Sequence, residues 1–162
     1  MTHELRRSDL AITDQARIDG ILSEARYATI ALADGDRPYV VTLSCGYDSA
    51  ARRLCFHVAS QGRKLDIIAR NPKACATVVR DRGYLHGECA HPYESVVMSG
   101  RMSLLDDPED VRDAMRTLIG QLESPDAAAA IFDKHGLSAD AALGRFRVLT
   151  FRIDSMTAKS GK

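Results

Sequence analysis

The chain has 162 residues, and its 22 Lys plus Arg balance 22 Asp plus Glu, so the formal net charge is zero. That length suits one domain. The balance argues against a general nucleic-acid or membrane surface, and it leaves self-association open. No apolar run reaches the ~18 residues of a membrane helix, and the polar start Met1-Thr2-His3-Glu4-Leu5-Arg6-Arg7 has no secretory apolar region. Cys45, Cys55, Cys75 and Cys89 form no CxxC pair. A cytoplasmic chain with reduced, mostly buried thiols is the expectation.

In chain order, residues 1–12 read as an arm. Thr13 reads as the N-cap of a first helix, in which Ile18, Ile21, Leu22 and Ala25 recur at helical spacing. Tyr27 to Ala33, Pro38 to Leu43 and Leu54 to Ala59 read as three strands of an antiparallel meander. Asp34-Gly35-Asp36 and a turn beginning at Tyr47-Asp48-Ser49 join them. Gly62-Arg63-Lys64 opens a short helix carrying Leu65, Ile68 and Ala69, and Asn71-Pro72 stops it.

Ala74 to Val79 reads as a fourth strand, 81–94 as a loop, and Ser95 to Leu105 as a fifth strand with Gly100 a bulge or close-approach point. Asp107-Pro108 caps and opens a second major helix with the stripe Val111, Ala114, Met115, Leu118, Ile119 and Leu122. That stripe reads as core or dimer packing rather than as a ligand surface. Ser124-Pro125 opens another helix, which Gly136 ends, and a short helical piece follows near Ala139 to Leu143. Arg145 to Ile153 alternates and reads as a sixth strand. The order predicts a mainly β fold, a six-stranded antiparallel barrel with attached helices, in a single domain over 1–162 with a helical insert over 106–144.

One segment carries chemistry. The strand Leu54 to Ala59 runs through a polar turn into a helix that begins Gly62-Arg63-Lys64. A helix N-terminus presents free N–H groups and positive potential, so cations there are disfavoured unless an anion joins them. Arg63 can fork onto phosphate oxygens, and Lys64 adds a point charge. The alternative is an exposed helix start whose cations are simply solvated. His57 lies on the strand before this turn and, next to Phe56, points to the opposite face. His86-Gly87-Glu88-Cys89-Ala90-His91 places four candidate ligands in six residues, but a tetrahedral metal needs convergent side chains, so loop is the better reading and no metal is expected. No Rossmann G-x-G-x-x-G pattern is present.

Leu54-Cys55-Phe56-His57-Val58-Ala59-Ser60-Gln61-Gly62-Arg63-Lys64-Leu65-Asp66, followed by Arg70-Asn71-Pro72, resembles the pyridoxamine 5′-phosphate oxidase-like FMN-binding split barrels. It is most similar to their nitroimidazole-resistance branch. Pro38 to Leu43 with Gly46-Tyr47-Asp48, Tyr93 to Arg101, and Phe151 to Lys159 resemble further segments of that family in the expected order. Thr42 and Ser44-Cys45 depart from residues common in that branch.

The resemblance implies a homodimer with FMN at the subunit interface. It implies that Arg63 and Lys64 bind the FMN phosphate, and that His57 and Val58 lie beside the cofactor. It further implies that Val41, Thr42 and Leu43 lie along the flavin ring and that Ser95 reaches the cofactor. His57 is the candidate catalytic residue, as a proton donor or a hydrogen-bond partner of substrate. The expected function is an FMN-dependent oxidoreductase acting on a small-molecule substrate, an aromatic or nitro compound, with NAD(P)H as a plausible donor. The alternatives are a haem-binding protein on the same fold, with a ligand from His57, His86 or His91, or a flavin-binding module without turnover.

Overall fold

The computed structural model describes residues 6–138 and 147–161. The helical piece expected near Ala139 to Leu143, and the first two residues of the strand expected from Arg145, lie outside the described residues. Helices α1 (Gln15–Glu24), α2 (Arg63–Arg70), α3 (Pro108–Leu122) and α4 (Pro125–His135) accompany strands β1 (Tyr27–Asp34), β2 (Arg37–Ser44), β3 (Gly46–Asp48), β4 (Arg53–Val58), β5 (Lys73–Asp81), β6 (Tyr93–Leu105) and β7 (Arg147–Gly161). The strands form one antiparallel sheet in the order β2-β1-β5-β6-β7-β4-β3.

The sheet therefore has seven strands, one more than the six expected. The extra one, β3, pairs Gly46–Asp48 with Cys55, Leu54 and Arg53. Three residues are too few for a period-two pattern, so the sequence shows only turn chemistry there. The N-cap of α1 is Asp14 rather than Thr13, its carboxylate accepting the Ala16 N–H at 3.0 Å. Asp107 and Ser124 cap α3 and α4 as expected, and Gly136 closes α4 in the left-handed region.

The arm is pinned rather than loose. After a 3-10 turn at Ser8–Leu10, Ala11 bridges to Lys159, and the Ile12 N–H reaches the Ala158 carbonyl at 2.9 Å. Its partner strand β7 continues past Ile153 to Gly161 because its backbone stays paired with β6, with a register shift at Ser99/Gly100.

Two cores lie on opposite faces of the rolled sheet. Phe56, Leu149 and Phe151 are fully buried in the inner one with Ile30, Val96 and Met98. Burying each such side chain stabilises the fold by roughly 1.5–3 kcal/mol. Cys55 and Val148 face the other way, under Val111, Ala114, Met115 and Leu118 of α3. This second core explains why Val148, Leu149, Thr150 and Phe151 are buried in succession, where alternation alone predicts one wet face.

Two rows of the remaining outer face are uncharged, and Lys73, Arg101 and Arg152 lie in a row beside them. Register aligns Val40, Ala31, Cys75, Ser99 and Ser155 in one row, and Thr42, Thr29, Thr77, Val97 and Thr157 in the next. Val40 and Val97 on this face are 60% and 48% exposed.

Candidate functional site

Strand β2 is an edge of the sheet, so one side of its backbone has no strand partner among the described residues. Tyr39, Val41 and Leu43 pack half-buried against the inner core, while Val40, Thr42 and Ser44 alternate outward. On β4, Phe56 and Val58 are buried and His57 points outward. The two outward sets meet below the helical insert, where a cleft of about 730 Å³ opens. Tyr27, Thr42, Leu43, Ser44 and His57 line its sheet side. Met115, Leu118 and Ile119 of α3, with Ile131 and His135 of α4, line the other. No Lys or Arg lines it among the described residues. Desolvation by these walls lowers the His57 pKa from its ordinary 6.5, so the imidazole is neutral at pH 7.

The second part of the site is the start of α2. Gly62 holds φ 142°, a conformation that favours glycine, and no side chain caps the helix. The Leu65 and Asp66 N–H groups turn back to the Gly62 carbonyl. The Arg63 guanidinium lies 5.1 Å over the Tyr39 ring and 3.5 Å from the Asp34 carboxylate, which Arg70 meets at 2.7 Å. The Arg70 hydrogen bond, then the charges of Arg70 and Arg63, outweigh a desolvation penalty and lower the Asp34 pKa. Tyr39, under Arg63, and Leu43, in the cleft, lie four residues apart on β2, about 13 Å along a strand.

Of the residues singled out in the sequence, Thr42, Leu43 and His57 come together in the cleft, and Arg63 and Lys64 stand at the α2 N-terminus. Val41 turns its side chain to the inner core, and Val58 is 4% exposed inside it. Ser95 is buried on β6 between Val79 and Lys159, with β1 and β5 intervening before β2. His86 and His91 do not line the cleft. His91 meets Asp81 at 2.8 Å, and both rings stand edge-on to Tyr84. Among the described residues no group of three or more His, Cys, Asp or Glu converges as a metal site.

Sequence reasoning missed Tyr27 and His135, and it read the α3 stripe as packing alone. Met115, Leu118 and Ile119 both pack the second core and wall the cleft. His135 has the ordinary profile of a basic residue in the last turn of a helix, so nothing in the sequence marks it.

The family model for pyridoxamine 5′-phosphate oxidase matches residues 14–160. A candidate 5-nitroimidazole antibiotic resistance protein from Bacteroides thetaiotaomicron is similar in structure, with a TM-score of 0.76, 22% identity, and coverage of 99% of this chain and 96% of that one. An FAD and haem binding protein from Mycobacterium smegmatis has a TM-score of 0.75 and 18% identity, over 94% of this chain and 73% of that one. An FAD-binding protein from Mesorhizobium loti has a TM-score of 0.60 and 22% identity, over 94% and 98%. No curated protein matches the chain. The chain belongs to the pyridoxamine 5′-phosphate oxidase family, and its antiparallel sheet with attached helices is the split-barrel fold of that family.

Proposed function

We propose that this protein is a homodimeric FMN-dependent oxidoreductase that acts on a small, largely apolar acceptor. One observation carries the reading. An uncapped, cation-bearing helix start sits over Tyr39 and an apolar cleft with a neutral histidine opens at Leu43, two β2 positions about 13 Å apart. That separation suits a phosphate joined to a flat ring by a ribityl chain.

The residues fit such a cofactor. Gly62 leaves the approach to the α2 N–H groups open, Arg63 forks onto phosphate, and Lys64 adds charge. Tyr39 holds the Arg63 guanidinium in place from below. The β2 backbone from Val41 to Leu43 offers donors and acceptors to a ring edge, and Thr42 and Leu43 lead it into the cleft. Val58 acts from the core, by fixing β4 beneath His57. When bound, a flavin would supply two-electron chemistry between a donor and the acceptor. His57, neutral at pH 7, holds a hydrogen-bonding group of the acceptor at the cleft wall. The absence of Lys and Arg among the described lining residues disfavours a phosphorylated acceptor such as pyridoxamine phosphate.

The uncharged outer rows of the sheet support the homodimer, because a solvated antiparallel face ordinarily carries charge. In that assembly Ser95 would reach the cofactor of the second copy. Haem is a second reading, favoured by the two imidazoles, His57 and His135, that line one apolar cleft. The absorbance spectrum of the reconstituted protein distinguishes a flavin from a Soret band.

The test of the phosphate cradle is a flavin-fluorescence titration of the Arg63→Ala, Lys64→Ala double variant. Loss of two charge-assisted contacts should weaken FMN binding on the order of 100-fold while circular dichroism stays unchanged. Equal FMN affinity in the wild type and the double variant overturns the assignment.

A further inference from the structure

Tyr27 is a large aromatic residue at the start of β1, and it is 61% exposed. It lines two hollows. One is the His57 cleft, and the other is a smaller space of about 300 Å³ lined by Glu24, Arg26, Val79 and Arg80. The two differ in charge, since the described lining of the cleft holds no Lys or Arg and the smaller space holds two arginines. We propose that Arg26 and Arg80 form an anion subsite that holds the diphosphate of a reduced nicotinamide dinucleotide, with Tyr27 guiding its nicotinamide into the His57 cleft. The choice of a hydride donor as occupant rests on the proposed flavin function.

Charge and geometry support a second anion site here. Glu94 is shared by three guanidiniums, those of Arg17 at 2.7 Å, Arg80 at 2.9 Å and Arg82 at 2.8 Å. The only other carboxylate paired with Arg80 among the described residues is Glu24, at 2.8 Å, and the Glu24 side chain is 69% exposed. Arg80 Nε is buried without an acceptor. Arg26 is exposed and forms no ion pair among the described residues. Three guanidiniums thus share two carboxylates, Arg26 lies beside them in the same hollow, and the exposed carboxylate, Glu24, is the group that an incoming anion displaces from Arg80.

The flavin phosphate cannot serve this subsite. Arg63 meets Asp34 at the far end of β1, seven residues from Tyr27, or about 23 Å along a strand. An anion at Arg26 and Arg80 therefore belongs to a second ligand. Its apolar end reaches past Tyr27 toward Thr42 and His57, where the ring of a cofactor anchored at Arg63 would end. A dinucleotide has the required parts, namely a flat ring at one end and a diphosphate that arginine can fork.

The test uses the full chain, with and without FMN, and measures binding of NADP⁺ and of inorganic pyrophosphate by titration calorimetry. Arg26→Glu should weaken both at least tenfold, and Glu24→Gln should tighten both several-fold. FMN affinity, read by fluorescence, should stay the same in each. In rapid-mixing reduction, Arg26→Glu should raise the KM for NADPH, with the loss confined to the phosphorylated donor when 1-benzyl-1,4-dihydronicotinamide is used for comparison.

NADP⁺ and pyrophosphate binding that is indifferent to both substitutions, or absent from the wild type, overturns the subsite and leaves the flavin reading standing if FMN still binds. Arg26-dependent binding of NADP⁺ by a protein that fails to bind FMN upholds the subsite and removes the flavin reading.

Discussion

Glu94 is a buried carboxylate held by three guanidiniums. Its side chain is 7% exposed. Burial raises its pKa, but hydrogen bonds from Arg82, Arg17 and Arg80 more than offset this and hold it at about 2, below the usual 4.5. A carboxylate depressed on folding stabilises the fold above its unfolded pKa, and it loses that contribution as pH falls through the folded value. Stability should therefore decline from about pH 4.5 toward pH 2. Glu94→Gln leaves three guanidiniums without their shared counter-charge. The expected cost is about 3–5 kcal/mol at pH 7, at the lower end because Arg17 and Arg82 are half exposed. Urea unfolding at pH 7, 4.5 and 3 should show a steep acid limb in the wild type and a shallow one in the variant. Identical acid limbs would exclude Glu94 as the group responsible. None of this was legible in the sequence, where Glu94 closes a loop-like stretch and its partner Arg17 lies 77 residues away.

At the scale of elements, the cleft depends on how α3 is seated. A Cβ on Gly46 would lie 2.5 Å from the Leu118 Cα, so only glycine lets α3 rest on β3. Gln121 then binds three backbone groups. Its Oε1 accepts the Tyr47 N–H at 2.7 Å, and its Nε2 donates to the Leu22 and Ala25 carbonyls at 3.1 and 2.6 Å. Gly46→Ala should push α3 outward, cost about 1–3 kcal/mol and displace one wall of the cleft. The proposed phosphate cradle at α2, on a different element, should be unaffected. Thermal unfolding together with the affinities for riboflavin and for FMN measures this, because riboflavin lacks the phosphate. The expected loss is the same for both, because both carry the ring, and unchanged affinities would mean that α3 does not shape the ring site.

The α3 helix itself was readable from its Asp107-Pro108 start and apolar stripe, because capping and periodicity are local properties. Its seat was not readable, because Gly46 looks like turn material and Gln121 belongs to no pattern. Arg63 and Lys64 were readable for the opposite reason. Two cations at a helix N-terminus break a local rule, and a broken local rule makes them candidates for function.

At the scale of the molecule, two five-strand rows without charge still have to be accounted for. Isolated exposed apolar residues are ordinary, but here Val40 and Val97 sit among Ala, Ser, Thr and Cys in two complete rows. A second copy of the same face would meet it without burying an unpaired charge, and a two-fold interface requires only that the patch complement itself. Such a dimer would place the free edge of β2, and the cofactor along it, beside the junction.

Thr77 and Val97 are paired neighbours in the middle of that face. Replacing both with Arg puts two cations from each copy against two from the other. Sedimentation of the double variant should give a monomer where the wild type gives a dimer. The circular dichroism spectrum should hold, because both side chains point away from the inner core. FMN affinity should fall with dissociation, although neither residue lies at the α2 cradle or in the cleft. A variant that remains dimeric would locate the contact elsewhere. A monomer that binds FMN as tightly as the wild type would mean that one chain builds the whole site.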